Sequence, residues 1–199
     1  MGSAEAATKS PPLLRHLLAL DASLSYALHA FFKPFLPAFF LLLLEYSADF
    51  RFSFPVSLAI VLASPSRLPL LLPFLLSLLL DLALIGLVKL IFRRARPHYN
   101  PNMSAVVHAD NFSFPSGHAS RVLLLATLMH LVFKSEDGLV PNFVDQWIRA
   151  DSALLGIWVW AVLTATSRVL LGRHFLLDVL AGAFVGVLEG VFSFHFLRF

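Results

Sequence analysis

The stretch Ser167 to Asp178 reads S-R-V-L-L-G-R-H-F-L-L-D and carries three residues that could do chemistry together. His174 and Asp178 are four apart, a spacing that shares one face of a helix. Asp178 is therefore expected to hydrogen-bond one imidazole nitrogen of His174 and leave the other free. That is the arrangement of an oriented histidine nucleophile or base. Arg168 is a permanently charged planar fork suited to a phosphate. The stretch lies between strongly apolar segments, where an uncompensated charge is costly and marks function.

Two more polar clusters sit at the ends of apolar segments. Lys89 and Arg96 are seven apart, close to two helical turns, so they project from one face before Pro97 discourages further helix. Arg93 and Arg94 beside them read as a basic helix end snorkelling to lipid headgroups. Pro115-Ser116-Gly117-His118 opens a helix. A helix N-terminus offers unpaired N–H groups and a partial positive charge to an anion. Ser116 adds a hydroxyl donor, Gly117 allows close backbone approach, and His118 can donate a proton. The first two clusters flank one loop and share a side of the membrane. With single spans after His118, the third returns to that side.

The elements that must position these residues follow from composition. The chain has 199 residues, 58% hydrophobic and only 14% charged, with 20 Phe and long Leu runs. A soluble domain is nearer a quarter charged. The fold class is all-α, an integral membrane helical bundle. With no Cys there is no disulfide framework, thiolate metal site or Cys nucleophile. The net charge of +3 is modest and the basic residues cluster near the proposed site, so no nucleic-acid partner is read.

Residues 1–12 are small and polar, are expected to be disordered, and lack the pattern of a cleaved signal peptide. Ala6 stands where a myristoylation motif wants Ser or Thr. Residues 13–33 mix apolar residues with Arg15, His16, Asp21, Ser23, Ser25 and His29, and read as an amphipathic helix in the membrane interface. Residues 34–199 form the membrane domain. Phe35–Tyr46 and Phe52–Ala63 are each short for a span, which needs about 20 residues, so they are two spans or one re-entrant pair. A turn is expected at Ser64-Pro65-Ser66-Arg67. Full spans follow at Leu68–Phe92, Ser116–Phe133, Ser152–Leu171 and Phe175–Leu197, about six in all if the first two are both real. The connection Lys134–Asp151 reads as a solvated loop, and His98, His108 and Asp110 as solvated loop residues. His130 and His195 read as packing or interfacial residues. Asp81 is expected to pair with Arg121, and Glu189 to face the bundle interior.

K-L-I-F-R-R-A-R-P, P-S-G-H and S-R-V-L-L-G-R-H-F-L-L-D resemble the three motifs of the type 2 phosphatidic acid phosphatase family, with their spacings, from Lys89 to Asp178. F-S-F-P-S-G-H-A-S-R and the short chain also look like its polyisoprenoid (presqualene) diphosphate phosphatase subgroup. The resemblance implies a six-helix core, a phosphohistidine intermediate and phosphate hydrolysis without metal or other cofactor. It makes His174 the nucleophile, Asp178 its orienting partner and His118 the acid, then base. Lys89, Arg96, Ser116, Gly117 and Arg168 would hold the phosphoryl oxygens. The implied partners are a lipid phosphate and the surrounding membrane lipids, in the endoplasmic reticulum with the site facing the lumen.

Three other readings share these motifs. A vanadium haloperoxidase would use His174 as a metal ligand, but the apolar spans argue against it. A non-catalytic lipid-binding protein is disfavoured because no motif residue is lost. A lipid phosphotransferase would differ only in its acceptor. Phosphatidate, sphingoid phosphates and isoprenoid mono- or diphosphates all present a terminal phosphate on an apolar tail, so the motifs do not choose among them.

Overall fold

The computed structural model describes residues 11–63, 68–99, 108–135 and 150–197. Within these the chain forms α1 (Pro12–Phe32), α2 (Ala38–Ser47), α3 (Phe50–Ala63), α4 (Leu68–Phe92), α5 (Gly117–Lys134), α6 (Ala150–Leu170) and α7 (Leu176–Phe196), with a 3₁₀ turn at His108–Asn111. No strand occurs among the described residues, which bears out the all-α reading. The expected turn at 64–67, most of the expected loop between α5 and α6, and residues 1–10 of the expected disordered terminus lie outside the described residues.

Helix α5 is the axis of the bundle. Ala119, Val122, Leu124, Ala126 and Leu128 are all buried, so it is enclosed on every side rather than along one stripe. Its most extensive partner is α7, and a row of glycines makes that approach possible. A Cβ on Gly182 would lie 2.3 Å from the Ser116 carbonyl oxygen. One on Gly186 would lie 2.0 Å from that of Ser120, and one on Gly190 2.7 Å from Thr127 Cβ. Small residues every four positions let two helix backbones touch, and here they bring the start of α7 against the start of α5.

The interior charges pair as the sequence suggests. Arg121 Nη2 donates to Asp81 Oδ2 at 2.9 Å. Glu189 is buried and accepts from Ser120 Oγ at 3.2 Å. Arg121 Nη1 also donates to the Ala48 carbonyl at 3.0 Å, between α2 and α3. A backbone break at membrane depth needs such a partner for its freed carbonyl. His130 packs edge-on against Trp158, and His195 against Phe194.

Among the described residues three helices are long and apolar enough to cross a membrane, Leu71–Phe92, Ser152–Leu170 and Leu176–Phe196, and α5, expected as a further full span, is not one of them. The first two apolar segments differ from two full spans. Helices α2 and α3 have 10 and 14 residues. At 1.5 Å per residue they measure roughly 15 and 21 Å, each short of a ~30 Å hydrocarbon core. They run in series along the bundle. Glu45 of α2 meets Arg168 at the end of α6, and Trp160, two turns earlier in α6, donates to Ser47 Oγ at 2.9 Å. Helix α3 then packs on α4.

Helix α1 occurs where the interfacial helix is expected. Its exposed residues are mostly apolar, with Leu13, Leu17, Leu20 and Leu24 all near half exposed or more, though Arg15, His16 and Ser23 are exposed too. Its buried residues are polar, Asp21 and Ser25. The helix is thus amphipathic with its polar stripe against the protein.

Candidate active site

The residues singled out from the sequence gather at one end of the bundle. Lys89 lies in the last turn of α4, and Arg96 just beyond it. Ser116, Gly117 and His118 begin α5, Arg168 ends α6, His174 sits in the turn before α7 and Asp178 in the first turn of α7. That turn depends on Gly172, whose φ of 71° is left-handed and whose Cβ would lie 2.8 Å from the Tyr99 ring. The Arg168 carbonyl accepts the N–H groups of Arg173 and His174 at 2.9 and 3.2 Å, which closes the turn.

His174 is buried, and its two ring nitrogens have unlike partners. Nδ1 lies 2.7 Å from the Ser113 carbonyl oxygen, which can only accept. Nε2 lies 3.2 Å from Nη1 of Arg96, which can only donate. The only consistent tautomer carries the proton on Nδ1 and a lone pair on Nε2. Burial, followed by the charges of Arg96, Arg168 and Lys89, holds the imidazole pKa well below its ordinary value. His174 is therefore neutral at neutral pH, with its Nε2 lone pair turned to Arg96.

The expected hydrogen bond from Asp178 to His174 is not made. Asp178 Oδ2 is 3.9 Å from Nδ1 and instead accepts the Phe175 N–H at 2.9 Å. The i, i+4 argument needs both residues within a helix, and α7 starts only at Leu176. Asp178 caps the helix that follows the histidine. Its other oxygen accepts from Arg94 Nη1 at 2.7 Å. Arg94 is thereby corrected as well: it turns inward and does not snorkel. Helix α4 ends at Phe92, Arg93 adopts a left-handed φ of 47°, and the chain then changes direction. Asp110 is a further correction, since it is an ion-pair partner of Lys89 at 3.3 Å rather than a loop residue free of the site.

The cations are held by different means. Arg96 donates from Nε to the Asp110 carbonyl at 2.8 Å and from Nη1 to the Arg173 carbonyl at 2.9 Å. Burial and the like charge of Arg168 push its pKa down to about 10, so it remains charged at neutral pH. Arg168 is fully buried. It has one ion pair, Nη1 to Glu45 Oε2 at 3.2 Å, yet Nε, Nη1 and Nη2 have no hydrogen-bond partner among the described residues. His118 Nε2 is likewise buried without one. Buried guanidinium donors left open call for an anionic ligand. The helix start at Ser116 adds its N–H groups, and the Ser116 N–H itself donates to the Asp178 carbonyl at 2.9 Å. A Cβ on Gly117 would crowd the Ile85 side chain, at 3.3 Å. Among the described residues no three His, Asp or Glu converge as a metal site.

Several participants were not read from the sequence. Ser113 acts through its carbonyl, which no residue type signals. Glu45, Asp21 and Arg94 carry the signal of charge within or beside an apolar segment, which marks a partner or a function.

Fold and site together describe an integral membrane helical protein with an anion site at one end of its bundle. Residues 70–199 match the model of the PAP2 superfamily. The chain is 54% identical over 195 residues to the probable lipid phosphate phosphatase beta of Arabidopsis thaliana, covering 92% of this chain and 91% of that one. It is 34% identical over 108 residues to phosphatidylglycerophosphatase B of Bacillus subtilis strain 168, covering 51% and 45%. In three dimensions it resembles the crystal structure of a transmembrane PAP2-type phosphatidylglycerolphosphate phosphatase from Bacillus subtilis, with TM-score 0.71 at 22% identity over 96% of this chain and 89% of that one. The chain belongs to the PAP2 superfamily, whose phosphatases hydrolyse phosphate esters.

Proposed function

We propose that this protein removes the terminal phosphate of a membrane lipid mono- or diphosphate through a phosphohistidine on His174. The observation that carries the reading is the fixed tautomer of His174, which points an unprotonated Nε2 at the site's cations. In the first step Nε2 attacks phosphorus and the bond from phosphorus to the lipid-side oxygen breaks. Lys89, Arg96 and Arg168, with the Ser116 hydroxyl and the Gly117 N–H, hold the phosphoryl oxygens as charge spreads over them. His118 gives its proton to the departing alkoxide or phosphate. In the second step His118 takes a proton from water, which attacks phosphorus, breaks the N–P bond and frees phosphate and His174. Asp178 acts by fixing the backbone after His174 and through Arg94, a different route from the one its spacing suggests.

The substrate class draws support from the names of the relatives, a lipid phosphate phosphatase and a phosphatidylglycerophosphatase. Isoprenoid diphosphates and phosphatidate both fit a site at the end of an apolar bundle. We further propose that no metal takes part and that the site faces the lumen of the endoplasmic reticulum. A radiolabelled phosphatidate and an isoprenoid diphosphate, offered to purified protein in detergent, test the reaction. Acid-labile, base-stable label is expected on the wild type and none on His174→Ala. Label on His174→Ala would remove the assignment.

A further inference from the structure

The polar stripe of α1 is spent on the turn that carries His174. Asp21, Ser25 and His29 are four apart in succession and share one face. Asp21 Oδ1 accepts the Leu177 N–H at 3.0 Å, and Ser25 Oγ accepts the Leu176 N–H at 2.8 Å. His29 Nδ1 lies 2.7 Å from the Leu170 carbonyl oxygen. These are groups that the end of α6 and the start of α7 leave without intrahelical partners. One helix therefore satisfies both ends of the turn around the nucleophile.

Arg94 ties this clamp to the histidine itself. Its Nη2 donates to Asp21 Oδ2 at 2.6 Å and its Nη1 to Asp178 Oδ1 at 2.7 Å. Its guanidinium carbon lies 4.2 Å over the Phe175 ring, the residue after His174. Its carbonyl accepts the Ser113 N–H at 2.8 Å, and the Ser113 carbonyl in turn receives His174 Nδ1. Arg94 thus supports the imidazole from two directions, through the residue that follows it and through the carbonyl that fixes its tautomer. A helix needed only as a membrane anchor would have no use for this arrangement, because burying paired charges gains little over apolar packing.

We propose that Asp21 and Arg94 are positioning residues for His174, which makes α1 a working part of the catalytic apparatus rather than an attachment to the membrane. Arg94 joins the Asp21 and Asp178 carboxylates and holds the nucleophile's turn at the distance the phosphorus requires. This rests on the phosphohistidine reading above.

The test is single-turnover phosphoenzyme formation from radiolabelled phosphatidate, with wild type, Asp21→Asn and Arg94→Lys side by side, together with their steady-state kcat and KM. Asp21→Asn keeps an acceptor for the Leu177 N–H but loses the charge. Arg94→Lys keeps the charge but cannot span two carboxylates. A slight misplacement of a reacting atom costs up to about 100-fold, so the rate constant should fall roughly 10- to 100-fold while burst amplitude and KM stay close to wild type. An unchanged rate constant overturns the proposal, whether the amplitude is full or reduced, since loss of amplitude alone means only loss of folded enzyme. If Asp21→Asn cannot be purified folded, Arg94→Lys decides by the same criterion. Wild type that turns over without forming phosphoenzyme overturns the phosphohistidine reading instead. In that event, the variants' kcat at constant KM still decides whether the two residues position the site.

Discussion

At the scale of single residues, the proposed chemistry turns on the state of His174. Burial and the cations Arg96, Arg168 and Lys89 facing it lower its pKa well below the usual value. On the phosphohistidine reading His174 must be neutral to attack, so on its account activity falls as pH drops through that lowered pKa. The acid limb of kcat/KM, which reports the free enzyme, should lie below the ordinary histidine value of about 6.5. A pH profile on a substrate whose own ionisation is subtracted checks this, and a limb at or above that value would contradict it. His118 has a different dependence. An alkoxide needs a proton as it leaves, and an aryl oxide such as p-nitrophenolate needs it far less. His118→Ala should therefore slow phosphorylation by a lipid monophosphate about 10²–10⁴-fold, and by p-nitrophenyl phosphate much less. Equal loss on both, in single-turnover measurements, would remove the acid assignment.

At the scale of elements, the contact of α5 with α7 decides whether the site assembles, because it sets Ser116 against Asp178. Gly186 has no room for a methyl group: its Cβ would lie 2.0 Å from backbone oxygen, which cannot rotate away. Gly186→Ala should push the helices apart and destabilise the protein by about 1–3 kcal/mol, in line with overpacking elsewhere. Gly86 in α4 is the matched control, since a Cβ there meets nothing within 4 Å. Gly86→Ala should be neutral or stabilise by up to about 1 kcal/mol through helix propensity. Thermal unfolding in one detergent compares the two. A lowered midpoint for Gly86→Ala and none for Gly186→Ala would refute the close-approach argument.

At the scale of the whole molecule, three cations and a helix N-terminus converge at one end of a bundle whose outer surface is apolar. A lipid phosphate can enter with its tail still among lipids and meet Lys89, Arg96 and Arg168 at the headgroup. On the proposed metal-free reading these groups would take the place of the divalent ion of many phosphoryl transfers. Hydrolysis of phosphatidate is expected to continue in excess EDTA with less than about a twofold change, since removing one cation from such a site costs far more than that. Complete loss in EDTA, restored by Mg²⁺, would show that the cations are not sufficient.

The sequence by itself determined the chemical groups. The spacing of Lys89 from Arg96, the run Pro115 to His118, and Arg168 ahead of His174 marked the charges and imidazoles that the fold gathers. Asp81 and Arg121 could be paired from the sequence because buried charges must find partners. What each group bonds to was decided by the tertiary structure. Asp178 shares a helical spacing with His174, but α7 begins after the histidine, so the carboxylate caps the helix and the Ser113 carbonyl takes its place. Arg94 looks like a snorkelling helix end until the left-handed Arg93 turns it inward. Asp21, Ser25 and His29 of α1 look like part of an interfacial polar face until the ends of α6 and α7 are found to need them. In each case the residue type was legible, while the partner was a backbone group or a distant side chain. Backbone carbonyls and N–H groups are the same at every position, so only the path of the chain distinguishes one from another.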